Sequence, residues 1–333
     1  MTEIAFHASH EQFAPSELLR LVTLAEQAGF DAIHSSDHFH PWSVRQGQSG
    51  FSFSWLGAAM QATQLPFSVV CAPGQRYHPA IVAQAAATLA EMFPGRFHIE
   101  LGSGEALNEC ITGDSWPSYE ERHRRLFESA RIIQQLFQGE KVSYSGLVKI
   151  KDAKLYSRPV QIPMIFAASL SAATAEQAGY WADGLLTTAG DSADIQDKME
   201  AFRKNSTTYK PVYVQFSFSY GSKQEAIAGA HDQWRTNLVS AEALGNYSQP
   251  EDFDHATENI SLEEVSEKIS IITDMNELFE KMQFCFDAKV DRLILHNVNR
   301  MQQAFIEDFA KYRRNNKVAD LRFISSAGNG LRK

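Results

Sequence analysis

The sequence predicts an α/β protein of the (β/α)8 TIM-barrel class, and three observations predict it. Short apolar runs alternate with longer amphipathic ones along the whole chain. Eight of the short runs read as strands. At 333 residues the length suits a closed barrel with insertions better than an open doubly wound sheet, although periodicity by itself leaves the open sheet as an alternative.

The elements follow in order. Ile4-Ala5-Phe6-His7 reads as the first strand. A helix over 15–28 opens with Pro15 and carries Leu18, Leu21, Val22 and Ala25 at helical spacing. Gly29 stops it, because glycine accepts the left-handed cap conformation. The second strand covers 31–35 and a helix 54–63; the third covers 67–71, before an Ala-rich helix over 79–92 with proline in its first turn. The fourth, 97–101, precedes a long helix over 119–137 with Leu126, Ala130, Ile133 and Phe137 on one face. Strands follow at 163–168, 182–187, 211–218 and 292–296, with a helix over 172–181 and further helices between and after. Two segments break the rhythm and read as insertions: 142–159 alternates like a hairpin, and 240–261 is polar and irregular. No repeat, low-complexity tract or linker marks a boundary, so residues 1–333 read as one domain.

Composition narrows the class. Hydrophobic residues make up 44% and charged residues 21%, ordinary for a soluble enzyme. A net charge of −9 without any polybasic run argues against nucleic acid or anionic lipid as a partner. No apolar stretch approaches the roughly 20 residues of a membrane helix. Met1-Thr2-Glu3-Ile4 is acidic and lacks an apolar signal core. Cys71, Cys110 and Cys285 share no metal spacing, and their odd number points to buried thiols in a reducing compartment. The expectation is a cytoplasmic protein acting on a small molecule.

In such a barrel, chemistry gathers at the C-terminal ends of the strands. Strand two is followed by Ser36-Asp37-His38-Phe39-His40-Pro41-Trp42, and strand three by Ala72-Pro73-Gly74-Gln75-Arg76-Tyr77-His78-Pro79. Strand four is followed by Gly102-Ser103-Gly104-Glu105-Ala106-Leu107-Asn108-Glu109. Asp37-His38 sets a carboxylate beside an imidazole, suited to acid–base work near neutral pH, and Trp42 offers a flat wall with an indole donor. A loop histidine tied to its neighbours is the plainer alternative; the strand-end position beside Asp and Trp favours catalysis. Gly102 and Gly104 allow close approach of backbone to a ligand, with Glu105 projecting into the mouth, though a turn capping the next helix is the commoner origin of such a run. His34, His38 and His40 invite a metal test, with His7 and His296 at other strand ends. Strands five and six end in Ala167-Ala168-Ser169 and Thr187-Thr188-Ala189, which are no ligand set, so no metal is expected. Gly-x-Gly-x-x-Gly fails at Leu107, and neither a Walker motif nor a Gly-x-Ser-x-Gly elbow is present.

These three segments, with Ala8-Ser9 and Glu11-Gln12-Phe13-Ala14-Pro15, resemble the luciferase-like flavin and deazaflavin oxidoreductases. The nearest subgroup is the coenzyme F420-dependent glucose-6-phosphate dehydrogenases, and the likeness runs in order over nearly the whole chain. It implies a luciferase-like barrel and a homodimer. It makes His38 an acid–base catalyst, Glu105 a second one, and Trp42 a wall of the reacting centre. Asp37, Ala72, Ser103, Gly104 and Asn108 would line the cofactor, and Ala168, Ser169, Leu170 and Ser171 would hold its tail. Val69 and Val70 fall where the family often has a non-proline cis peptide behind the ring. Thr188 matches a substrate-binding position.

The departures carry as much. The remaining phosphate-holding positions of that subgroup, two Lys and an Arg, fall at about Asp191, Leu244 and Lys268. An acid where a phosphate dianion needs a cation argues against glucose 6-phosphate. The loop Phe166-Ala167-Ala168-Ser169-Leu170-Ser171 lacks the subgroup's paired glycines, and His231-Asp232-Gln233-Trp234-Arg235-Thr236-Asn237 resembles a sister group of flavin-type oxidoreductases from organisms without F420. The implied cofactor is therefore FMN or coenzyme F420, with FMN slightly ahead. The implied activity is hydride transfer between ring and a small alcohol or carbonyl. The enzymatic alternative is an FMN-dependent monooxygenase, using oxygen and reduced flavin from a partner flavin reductase. From other classes, a metal-dependent hydrolase or a flavin-binding sensor remains.

Overall fold

All eight expected strands form, and they close on themselves. The computed structural model describes residues 2–316; residues 317–333 of the expected domain, and Met1, lie outside the described residues. The strands are β1 Glu3–Ala8, β2 Ala32–Ser36, β3 Phe67–Cys71, β4 Phe97–Leu101, β5 Val142–Ser145, β6 Lys149–Ala153, β7 Ile165–Ala168, β8 Gly184–Thr188, β9 Val212–Tyr220, β10 Ser270–Ile272 and β11 Arg292–Asn297. Parallel pairing runs β1-β2-β3-β4-β7-β8-β9-β11. The ring shuts where Leu185 pairs with Val212 and where Arg292 pairs with Glu3. Closure leaves no open edge in the ring and fixes the barrel over the open-sheet alternative. β9 is nine residues long and outruns β8; its last positions pair with β10, a three-residue strand too short to announce itself by alternation.

Period-two alternation sorts the strand residues into two cores. Ile4, Phe6 and Ala8 of β1 face the helical layer, while Ala5 and His7 face the lumen. Ala5, Ala32, Phe166, Leu186, Tyr213 and Ile294 fill an apolar part of the lumen, with Phe166 stacked on Tyr213 at 4.3 Å. A polar, buried part of the lumen holds His7, His34, Glu100 and His296.

The helices Pro15–Ala28, Pro79–Met92 and Tyr119–Phe137 match their expected spans. Gly29 takes φ +89°, and its N–H reaches the carbonyls of Ala25 and Glu26, closing the first of these helices. The second helix starts earlier than expected, at Ser52, and the one after β7 ends at Ala178, with Gly179 as its cap. Residues 142–153 form the expected hairpin, β5 against β6. Its Val142, Val148 and Ile150 join the outer core, and the Val148 N–H donates to Glu128 Oε2 at 3.0 Å. The segment 240–261 is not irregular. It holds the helices Ala241–Asn246, capped by Ser240, and Pro250–Ala256. So few of its side chains are buried, Phe253 foremost, that no apolar stripe marks it in the sequence. Among the described residues, no helix is long and apolar enough to cross a membrane.

Candidate active site

The three strand-end loops meet as expected. Asp37, His38, Val70, Ala72, Ser103, Gly104, Glu105, Asn108, Ala168, Ser169, Leu170, Ser171 and Thr188 line one cavity of about 420 Å³ at the C-terminal mouth. Trp42 stands behind His38, edge-on at 5.4 Å, and meets Phe253 of the helix Pro250–Ala256 at 5.5 Å. Two expectations for β3 are corrected. Val69 is fully buried in the outer core, because alternation turns Val70 and not Val69 toward the cavity. Among the described residues there is no cis peptide bond, so the Val69–Val70 bond is trans.

His38 is not paired with its neighbour Asp37. Its Nδ1 lies 2.5 Å from Glu11 Oε1, supplied by the loop after β1. Glu11 is itself held by Ser9, which donates to Oε2 at 2.7 Å, and by Ser36, which donates to Oε1 at 3.1 Å. Ser49 fixes the backbone by donating to the His38 carbonyl at 2.8 Å. Burial would lower the His38 pKa, but the Glu11 carboxylate, and further off Glu105, outweigh it and hold it above the usual histidine value. In return, burial would raise Glu11, and the imidazole beside it drives its carboxyl well below the usual range. Glu11 figured in the sequence only as part of a resembling segment; an acid three residues beyond a strand end was the available signal.

Asp37 serves Arg76. The guanidinium, nearly buried, donates from Nη2 to Asp37 Oδ2 at 2.7 Å and to the Asp37 carbonyl at 2.9 Å. Ser52 donates to the other carboxylate oxygen at 2.5 Å. The Arg76 backbone N–H donates to Glu109 Oε2 at 2.7 Å. Burial lifts the Glu109 carboxyl above its ordinary pKa, with the Arg76 contact opposing. Neither Arg76 nor Glu109 was singled out from sequence.

The cavity wall has the chemistry a flavin-type ring needs. Asn108 Oδ1 accepts the backbone N–H groups of Phe39 (2.8 Å) and His40 (3.2 Å), tying loop two to loop four. Its Nδ2 and Thr187 Oγ1 are buried without a hydrogen-bond partner in the protein, Glu109 Oε1 has only the Arg76 guanidinium at 3.5 Å, and all three residues face this cavity. Buried polar atoms of this kind are costly unless a ligand or water meets them. Gly104 adds a cradle: at φ +81° a Cβ there would stand 2.9 Å from Glu109 Cγ and 3.2 Å from Ala72 Cβ. A planar polar heterocycle such as FMN or F420 fits this donor and acceptor set.

Other expected residues have local duties. Ser169 and Ser171 bond within their own loop, Ser169 Oγ to the Ser171 carbonyl at 3.1 Å and Ser171 Oγ to the Thr174 N–H at 3.3 Å. Thr188 ends β8 at the rim. Asp191, the acid at a phosphate-holding position, caps the helix Ser192–Arg203 by accepting the Asp194 N–H at 2.9 Å. Cys71 is a buried thiol whose pKa burial pushes well up. His40 Nδ1 bonds the Leu107 carbonyl and His34 lies inside the lumen, so the His-x-His run does not converge. Among the described residues, no three His, Cys, Asp or Glu side chains gather so as to hold a metal ion.

A closed parallel barrel thus carries a histidine–carboxylate pair at the mouth of a cavity of about 420 Å³. Residues 1–292 match the luciferase-like monooxygenase family, and the chain belongs to that family. It is 32% identical over 323 residues to an F420-dependent glucose-6-phosphate dehydrogenase of Mycobacterium avium, covering 93% of this chain and 96% of that one. A relative of the same name from Segniliparus rotundus is 31% identical over the same shares. Among solved structures it resembles an F420-dependent secondary alcohol dehydrogenase in complex with an F420–acetone adduct, at TM-score 0.85 and 28% identity, over 93% of this chain and 97% of that one. A monooxygenase from Streptomyces bottropensis shares the fold at TM-score 0.72 and 16% identity, over 95% and 100%. The protein is an oxidoreductase enzyme of luciferase-like type.

Proposed function

We propose that this enzyme transfers hydride between coenzyme F420 and a small secondary alcohol or its ketone. The observation that carries the reading is the His38–Glu11 ion pair beside a cavity of about 420 Å³ that Glu105 also lines. When bound, the deazaflavin supplies a ring carbon that accepts or returns hydride and no oxygen chemistry. His38 takes the hydroxyl proton as hydride leaves the alcohol carbon, and gives it back in the reverse direction. Glu11 keeps that imidazole oriented and stabilises its protonated form. Trp42 excludes water from one side of His38, and Glu105 places negative charge across the cavity. Asp37, held by Arg76, positions His38 through the backbone. Asn108 and Thr187 offer their unpartnered atoms to the ring, while Ala168, Ser169, Leu170 and Ser171 flank its tail.

The F420 relatives shift the cofactor reading from FMN to F420. Asp191, already engaged as a helix cap, supports a neutral alcohol over glucose 6-phosphate. A homodimer in the cytoplasm accompanies this reading. The test is direct: protein loaded with F420 and mixed with propan-2-ol should reduce the cofactor, and His38→Ala should not. One observation favours a second reading, the FMN monooxygenase fed by a flavin reductase: the end of β7 and the loop after it read Ala167-Ala168-Ser169-Leu170, without glycine pairs. Oxygen uptake with reduced FMN, together with inert F420, would replace the first reading by the second.

A further inference from the structure

The insertion helix Pro250–Ala256 stands outside the cavity wall, yet it is fastened to the loop that carries His38. Ion pairing with Glu11 fixes the His38 ring at Nδ1. A ring tied at one nitrogen can still swing the other, and proton transfer needs that other nitrogen within about 2.6–3.2 Å of the alcohol oxygen. Trp42, edge-on to the ring at 5.4 Å, limits the swing. Residues 37–51 form neither helix nor strand, so Trp42 takes its own position from side-chain contacts. Its backbone N–H donates to Gln46 Oε1 at 2.8 Å, and Gln46 Nε2 donates to the Gln233 carbonyl at 3.1 Å. Its indole is backed edge-on by Phe253, which is fully buried and meets Tyr247 at 5.2 Å.

Phe253 can back Trp42 only while its helix stays docked, and that helix buries little beyond Pro250 and Phe253 themselves. Asp254, the next residue, supplies the fastening. Its Oδ2 accepts the Val44 N–H at 2.9 Å, and its Oδ1 pairs with Arg45 Nη1. Arg45 is held in turn. Its Nε donates to the Asp232 carbonyl at 2.9 Å, and Arg300 Nη2 donates to the carbonyls of Arg45 and Gln46 at 2.9 and 3.1 Å. Loop two, the helix Lys223–Trp234, the insertion and the loop after β11 therefore meet at Arg45. The side chains of Arg45 and Asp254 are 25% and 21% exposed, and each has a second hydrogen bond, so the pair keeps a fixed geometry that an open surface pair lacks.

We propose that Asp254 and Phe253 are positioning residues for His38, acting through Trp42, and that the insertion is a clamp holding the catalytic imidazole toward the substrate. Asp254 fastens the helix to loop two, Phe253 presses on the indole, and the indole edge keeps the His38 ring from turning away. The clamp acts on the rate more than on cofactor binding. A displaced acid–base group misses the proton, whereas Asn108 and Thr187, on other strand ends, stay where they are. A misplacement of about 1 Å at such a group can cost about 100-fold in rate.

The inference rests on the proposed reaction for the role of His38, and the full chain loaded with F420 tests it. Asp254→Ala should lower the rate of cofactor reduction by propan-2-ol about tenfold, while F420 affinity, read by fluorescence quenching, stays that of the parent. Phe253→Leu, which keeps an apolar body in the same place, should act in the same direction. Glu251→Ala, at an exposed position on the same helix, should change neither quantity. Unchanged turnover in both Asp254→Ala and Phe253→Leu overturns the clamp and leaves the proposed function standing. A rate loss matched by an equal loss of F420 affinity, or shared by Glu251→Ala, marks a general loosening and overturns it too. If the parent reduces no F420, the proposed function falls, and the ligand-free chain still decides the clamp. With 5-fluorotryptophan at all five Trp positions and the Trp42 signal assigned from Trp42→Phe, Asp254→Ala should shift that resonance and leave the Trp181 signal in place. A Trp42 resonance that does not move overturns the clamp.

Discussion

His38 takes its reactivity from the company it keeps. Burial pulls its pKa down and Glu11 pulls it up by more, so its protonated form is favoured over that of an ordinary histidine. Two outcomes follow at this scale. His38→Ala should cut turnover by about 10²–10⁴-fold, the usual worth of a positioned acid–base group, with cofactor affinity measured separately by fluorescence quenching. Glu11→Gln should move the pH profile in a defined sense. Alcohol oxidation needs neutral His38, so the rate rises as pH climbs through its raised pKa. Without the Glu11 charge, burial prevails, the pKa drops, and the rise moves to lower pH; a profile that stayed put would dissociate Glu11 from the proton step. Asp37-His38 and Glu105 were legible in the sequence because they follow strands directly. Glu11 and Glu109 were not, because their roles depend on which loop lies across from them in space.

The loops act as elements only because buried charges bind them together. Arg76, from loop three, joins Asp37 of loop two and Glu109 of loop four, and its own side chain is 6% exposed. Truncating Arg76→Met would leave two carboxylates in the wall without their cation. The expected cost is about 3–5 kcal/mol, read from urea unfolding, because an unpaired buried charge is more damaging than a missing pair. A change at the rim should behave differently. Asp191→Ala removes a helix cap and should cost about 1 kcal/mol, without conferring activity on glucose 6-phosphate. The same contrast explains what sequence reading could reach. Pro15–Ala28 and Tyr119–Phe137 carry apolar stripes and end where expected, whereas Ala241–Asn246 and Pro250–Ala256 lie on the outside and bury too little to leave a pattern. β10 has three residues, below what alternation can reveal, and the outward turn of Val69 depends on the phase of β3, which its apolar Val-Val-Cys run conceals.

At the scale of the molecule, the cavity belongs to no single element. Its wall draws on the ends of β2, β3, β4, β7 and β8 and on Gln215 within β9, so any ligand that fills it contacts strands from most of the closed ring. Binding should therefore raise the stability of the whole barrel and not of one loop. A ligand at a hundred times its Kd adds about 2.7 kcal/mol to a protein that binds it only when folded. For a chain of this size, each kcal/mol corresponds to roughly 2 °C in Tm, so the correct cofactor should raise the melting temperature by roughly 5 °C. F420 is expected to give that shift, FMN a smaller one, and Gly104→Ala to abolish it, since the added Cβ would intrude on Glu109 and the left-handed φ would be strained. A melting curve raised by FMN and untouched by F420 would hand the site to oxygen chemistry. Equal silence from both, with His38 and Glu11 still in place, would mean that the unpartnered atoms of Asn108 and Thr187 await a different ring.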